Sequence, residues 1–188
     1  MRRVDPFVLV FAVVSIGYPF AAALLVRLAG PGWVVAALLV AVALRSVLSL
    51  KRKIPGGLTY GLLGVAAGLA LVALYDQELS ARLYPAFMNV AMLLAFAYTL
   101  CRPPSMIERF ARLLEPDLPA SGVRYTRVVT WIWTGFFLIN GGIAAWTALR
   151  ASWDVWTFYN GFIAYLAIGG LFVSEMLVRP FFRNKPAR

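Results

Sequence analysis

The chain has 188 residues, 62% of them hydrophobic and 14% charged, with a mean hydropathy of +0.79. Soluble domains sit near about 45–50% apolar and about 25% charged, so this composition excludes a water-soluble globule and reads as a polytopic membrane protein. The net charge of +10 does not point to nucleic acid, because the cations sit in short clusters between long apolar runs and form no continuous basic face.

Histidine is absent and cysteine occurs once, at Cys101. An intrachain disulfide is therefore excluded, as is any His-based or Cys-pair metal site, and the commonest general acid–base residue is missing. No metal, no cofactor and no catalytic residue are expected, and the reading is of a non-enzymatic protein.

In chain order, Arg2 and Arg3 precede Asp5-Pro6, an N-cap with proline at the first helical position. The apolar run 7–28 follows. Two arginines before an apolar core and Ala21-Ala22-Ala23 resemble a cleaved signal, but the run continues through Leu24, Leu25 and Val26, which favours an uncleaved anchor. Pro19 should kink it. Ala29-Gly30-Pro31-Gly32 makes a turn before the second run, 32–50, whose end meets the cluster Lys51-Arg52-Lys53. The third run, 58–75, carries Gly57, Gly61, Gly64 and Gly68, two small-xxx-small pairs suited to close helix packing within the bundle. A homo-oligomer is possible on this pattern but unsupported. Asp76-Gln77-Glu78 and Arg82 read as a loop before run four, 83–101. Run five spans 127–149 and run six 157–178.

Each run is close to the ~20 residues that cross ~30 Å of hydrocarbon at 1.5 Å per residue. The expected fold is all-α, a single membrane domain over 1–188 with six transmembrane helices. Six spans put both termini on one side, which then holds 15 of the lysines and arginines against 3 (Arg27, Arg82, Arg150) on the other. That split predicts a multi-pass membrane protein with both termini cytoplasmic. Trp33, Tyr75, Tyr84, Trp146, Trp153 and Trp156 then fall at the outer boundary as an aromatic belt.

Between runs four and five lies the longest polar interval, Cys101 to Thr126. Ser105 and Glu108 have capping-box spacing, so a helix should start there and Pro116 should end it, giving an interfacial helix over 105–115. Met106, Ile107, Phe110, Leu113 and Leu114 would form its apolar side, with Glu108, Arg109, Arg112 and Glu115 opposite. Anionic headgroups would attract Arg102, Arg109 and Arg112. Arg102, Ser105, Arg109, Phe110 and Arg112 are the candidates for binding membrane lipids or a protein partner, such as another inner-membrane or lipid-synthesis protein. Ser105 lacks an activating base and reads as a cap, not a nucleophile.

Within the spans the polar candidates are Asn89, Asn140, Asn160, Glu175 and Arg179. Glu175 and Arg179 have the i,i+4 order of an interfacial ion pair, against a proton or substrate role for an intramembrane carboxylate. The asparagines, with Thr147 and Thr157, either line a polar cleft open to the outer side or bond helix to helix. The cleft would make the chain a small lipid or small-molecule transporter or flippase. A third reading, a lipid-modifying enzyme, requires paired acid–base residues facing one cleft, with Glu108 or Glu115 beside Ser105 and a headgroup pocket.

Two resemblances bear on function. Trp133-Thr-Gly-Phe136-Phe137, then Gly141, then Trp156 opening the last run, is similar to the C-terminal half of the bacterial intracellular septation protein A family. That likeness implies a small inner-membrane protein linked to envelope integrity. The family's Asn-Phe-Lys after the tryptophan is Phe158-Tyr159-Asn160 here, so no role carries over at that site. The segment Arg102 to Arg109, Arg-Pro-Pro-Ser-Met-Ile-Glu-Arg, resembles a group of bacterial inner-membrane proteins encoded beside fatty-acid or aryl-polyene synthesis genes. It implies a setting in cell-envelope lipid or polyene-lipid biogenesis, and no mechanism.

Overall fold

The computed structural model describes residues 56–113 and 115–183, together with positions 24, 36 and 40. Expected spans 7–28 and 32–50 lie outside the described residues, apart from those isolated positions. Over the described residues the chain is helical: α1 (Gly56–Ala73), α2 (Gln77–Cys101), α3 (Met106–Arg112), α4 (Ala120–Arg150), α5 (Trp153–Phe158), a π turn (Tyr159–Ile163) and α6 (Ala164–Arg183). Among the described residues three stretches are long and apolar enough to cross a membrane: Gln77–Cys101, Ala120–Arg150 and Trp153–Arg179.

The helices start earlier than hydropathy alone suggests. Asp76 to Arg82 is the cap and first turns of α2, not a loop: Asp76 accepts from Leu79 N at 2.9 Å, and Glu78 sits in the first turn where the helix dipole favours an acid. α4 begins seven residues before its apolar run, directly after Pro119, and carries Arg124 and Tyr125 as helical residues. Ser152 caps α5, accepting from Val155 N at 3.4 Å, so run six starts four residues early. α6 continues through Pro180 to Arg183. α1 also starts early, at Gly56, and ends at Ala73, two residues before its expected limit.

α2 and α4 pack at the centre, with α1 against α2 and α6 against α4. Two glycines set the closest approaches. A Cβ on Gly68 would lie 2.6 Å from the Phe87 ring, and one on Gly141 would lie 2.9 Å from the Asn89 Cβ. Gly64, the partner of Gly68 in the small-xxx-small pair, faces open space.

Three apolar clusters hold the packing. Val65 and Leu69 of α1 meet Ala91 of α2. At one end Ala81, Ala148 and Trp156 close together, and Trp156 is fully buried, so it belongs to the core and not to an aromatic belt. Tyr75 and Trp146 are exposed at that same end. At the other end Ala95, Phe96, Val129, Trp133 and Phe137 take in Met106 from α3. The Phe96 and Phe137 rings meet edge to face at 5.1 Å, and Trp133 reaches Phe172 of α6 at 4.8 Å.

Candidate functional site

The polar residues fall into three groups along the bundle. At the Arg150 end, Arg82 crosses from α2 to α4 and donates to the carbonyls of Thr147 (2.9 Å) and Ala151. The Thr147 carbonyl also accepts from Ala151 N at 3.1 Å, so Arg82 adds a second donor there and reaches the carbonyl of the C-cap residue itself. Its guanidinium stands 5.4 Å from the Trp153 ring, whose Nε1 donates to Glu78 Oε1 at 2.6 Å, and Trp156 Nε1 donates to the Arg82 carbonyl at 2.9 Å. Arg82, read from sequence as a loop residue, is thus the tie between the ends of three helices. Its adjacency to Glu78 and to two tryptophans far along the chain left no local signal.

Deeper in, Asn140 Nδ2 donates to Asn89 Oδ1 at 3.0 Å, Tyr159 Oη donates to Asn140 Oδ1 at 2.9 Å, and Asn89 Nδ2 donates to the Pro85 carbonyl at 2.8 Å. Asn160 is not part of this chain. It donates to Thr147 Oγ1 at 3.2 Å and to the Trp156 carbonyl at 2.9 Å. Two of the three expected asparagines therefore meet, and the third forms a separate node about two turns along α4. The π turn explains why Tyr159 and Asn160, neighbours in sequence, both reach α4: the widened turn rotates the chain as it leaves α5. Thr157 Oγ1 is buried without a partner and joins neither node.

The third group is at the α3 end. α3 is shorter than its sequence signature, seven residues from Met106 to Arg112, with Ser105 as N-cap. Ser105 N donates to Glu108 Oε2 at 3.4 Å, the return half of the capping box. Ser105 Oγ faces the start of the helix, is buried, and closes no hydrogen bond. Ile107 N donates to Thr130 Oγ1 at 3.3 Å, which fixes α3 to α4, while Thr130 itself donates to the Thr126 carbonyl at 2.7 Å.

The faces of α3 differ from the expected division. Met106, Glu108 and Ala111 are buried, whereas Phe110 and Leu113 are 56% and 79% exposed. Glu108 is inside because it serves the cap and accepts from Arg112 (Nε to Oε1, 2.9 Å). Arg112 also donates to the Pro116 carbonyl at 3.0 Å, and Arg109 donates to the carbonyls of Pro104 (2.8 Å) and Arg102 (3.4 Å). Arg109 and Arg112 thus shape the loops around α3.

Arg102, Arg124 and Arg127 behave differently. All three are exposed, and among the described residues their guanidinium groups have no hydrogen-bond or ion-pair partner. Glu115 and Asp117 share this end without pairing to them. Free Cys101 is exposed beside Arg102. On α6, Glu175 accepts from Tyr125 Oη at both its carbonyl and Oε1 (3.4 Å each), and among the described residues it forms no ion pair with Arg179. Tyr125, in the second turn of α4, reaches it from the neighbouring helix.

Helix rise gives these groups a depth. Thr130, where α3 attaches, is 20 residues from Arg150, about 30 Å at 1.5 Å per residue, which matches the hydrocarbon thickness of a bilayer. Arg127 and Arg124 lie about 4.5 and 9 Å farther out. A bilayer boundary at Arg150 would put the opposite boundary near Thr130, where α3 attaches, with Arg127 and Arg124 beyond it.

Among the described residues no three Cys, Asp or Glu side chains come together as a metal site. No family profile, curated protein or solved structure matches the chain.

Proposed function

We propose that this chain is a non-enzymatic, multi-pass protein of the bacterial inner membrane that supports cell-envelope lipid or polyene-lipid biogenesis by docking lipid or a partner protein at its 102–115 segment. The observation that carries this reading is α3 itself. It is packed through Met106 and hydrogen-bonded through Ile107 to α4, yet it turns Phe110 and Leu113 outward at the boundary depth. A buried helix would hide those side chains, and a solvated loop would not contain them. The 15-to-3 split of basic residues supports a cytoplasmic position for this end. The Arg102–Arg109 resemblance supports the setting.

The intramembrane asparagines weigh against a transport path. Asn140 of α4 bonds to Asn89 of α2 and to Tyr159 of the π turn, and it is buried. Such groups hold helices together, and a path would need them turned toward water.

The test is complementation of a deletion strain, scored by envelope permeability and lipid composition. Phe110→Ser with Leu113→Ser, at wild-type membrane level, is expected to leave the defect uncorrected. Full correction by that variant refutes the reading. Reversing Arg109 or Arg112 is a poorer test, because each holds local backbone in place.

A further inference from the structure

We infer that the ligand of this end of the molecule is the anionic phospholipid headgroup, held by Arg102, Arg124 and Arg127 while Phe110 and Leu113 enter the acyl boundary; the inference rests on the docking role just proposed. The sequence nominates Arg109 and Arg112 for that contact, but each is held in place by bonds to its own surroundings, Arg109 to the Pro104 and Arg102 carbonyls and Arg112 to the Pro116 carbonyl and Glu108. The three unpaired arginines come from either side of α3: one at the end of α2, two in the first turns of α4. Arg124 and Arg127 are one turn apart on α4, so they share a face, and Val128 and Trp131 continue that exposed face into the hydrocarbon.

Depth decides between lipid and protein as the occupant. From the α3 attachment at Thr130, Arg127 and Arg124 lie about 4.5 and 9 Å outward, the position of phosphates above the acyl chains. Arginine matches phosphate with a planar fork of donors. A soluble acidic partner would meet the arginines but would have to cross the headgroup layer to cover Phe110 and Leu113. The lipid leaflet meets both at once.

The experiment is native mass spectrometry of the full chain released from nanodiscs containing equal phosphatidylglycerol and phosphatidylcholine. Wild type is expected to retain phosphatidylglycerol in preference, with the preference shrinking as ionic strength rises. Each of Arg102→Gln, Arg124→Gln and Arg127→Gln is expected to lower the preference by up to about fivefold, and the triple variant to abolish it. Arg150→Gln, at the opposite boundary, is expected to leave it intact. Among the described residues these arginines have no internal partner, so the variants are expected to keep the wild-type fold, checked by thermal melting. Equal retention of both lipids by wild type, or full preference in the triple variant, overturns the inference. Complementation separates this from the broader reading. If lipid preference is absent while Phe110→Ser with Leu113→Ser still loses envelope function, the occupant is a protein and docking stands. If preference follows the three arginines but no variant affects the envelope, lipid binding stands and the docking function falls.

Discussion

Asn140 offers the sharpest measurement on the helix contacts. It donates to Asn89 at 3.0 Å and accepts from Tyr159 at 2.9 Å, and it is 6% exposed. Interhelical hydrogen bonds in membranes average about 0.6 kcal/mol, with a maximum near about 1.7. Asn140→Ala removes two of them and strands Asn89 Oδ1 and the Tyr159 hydroxyl, so a loss of about 1–3 kcal/mol is expected. The assay is reversible unfolding in mixed micelles on adding a denaturing detergent, followed by circular dichroism. Double-mutant cycles supply the attribution: Asn140→Ala with Tyr159→Phe, and with Asn89→Ala, should each show coupling of at least about 0.5 kcal/mol. Asn140→Ala with Asn160→Ala should be additive within about 0.5 kcal/mol, because Asn160 binds Thr147, about 10 Å along the helix. A loss below about 0.3 kcal/mol for Asn140→Ala, or equal coupling to Asn160 and Tyr159, refutes the two-node arrangement.

Two further outcomes follow from the packing. Arg82→Gln should cost about 2 kcal/mol in the same titration, since charge-assisted bonds to two α4 carbonyls are lost. Arg82→Lys should recover only part, an ammonium lacking the guanidinium fork; complete recovery by lysine would show that charge alone matters. The adjacent glycines of α4 should respond in opposite ways. Gly141→Ala drives a Cβ into Asn89, whose own Cβ cannot move without α2, and should destabilise by more than about 1 kcal/mol. Gly142→Ala enters open space and should be neutral or stabilising by up to about 1 kcal/mol. Equal effects at the two sites would contradict the α2–α4 register.

Helix type and order over the described residues were legible, because an apolar run long enough to span a bilayer has few alternatives. Helix ends were not. The first turns of α2, α4 and α5 carry Gln77, Glu78, Ser80 and Arg82, then Ser121, Arg124 and Thr126, then Asp154, which are polar or charged and still helical. Hydropathy reports where a chain prefers to sit; the hydrogen-bond ladder continues wherever a cap and the dipole sustain it. α3 was legible as a helix from Ser105, Glu108 and Pro116, but its facing was not. Over two turns either apolar edge can turn inward, and the choice was made by Met106 entering the space between Phe96 and Trp133. Rotation hid the asparagine pairing in the same way. Sequence gave their depth, and the π turn at Tyr159–Ile163 reset the phase of the last helix.

These two blind spots, facing and phase, also explain why the functional residues moved. A count of charges treats Arg102, Arg109, Arg112, Arg124 and Arg127 alike. Once α3 is seated by Met106, Arg109 and Arg112 have backbone carbonyls and Glu108 within reach, and they are consumed by the fold. Arg102, Arg124 and Arg127 have no such neighbours and keep their donors. The membrane interior shows the complementary pattern, since Asn89, Asn140 and Asn160 spend their bonds on one another's helices. Binding capacity that the protein does not use on itself therefore collects at one boundary, beside the two apolar side chains that α3 leaves uncovered.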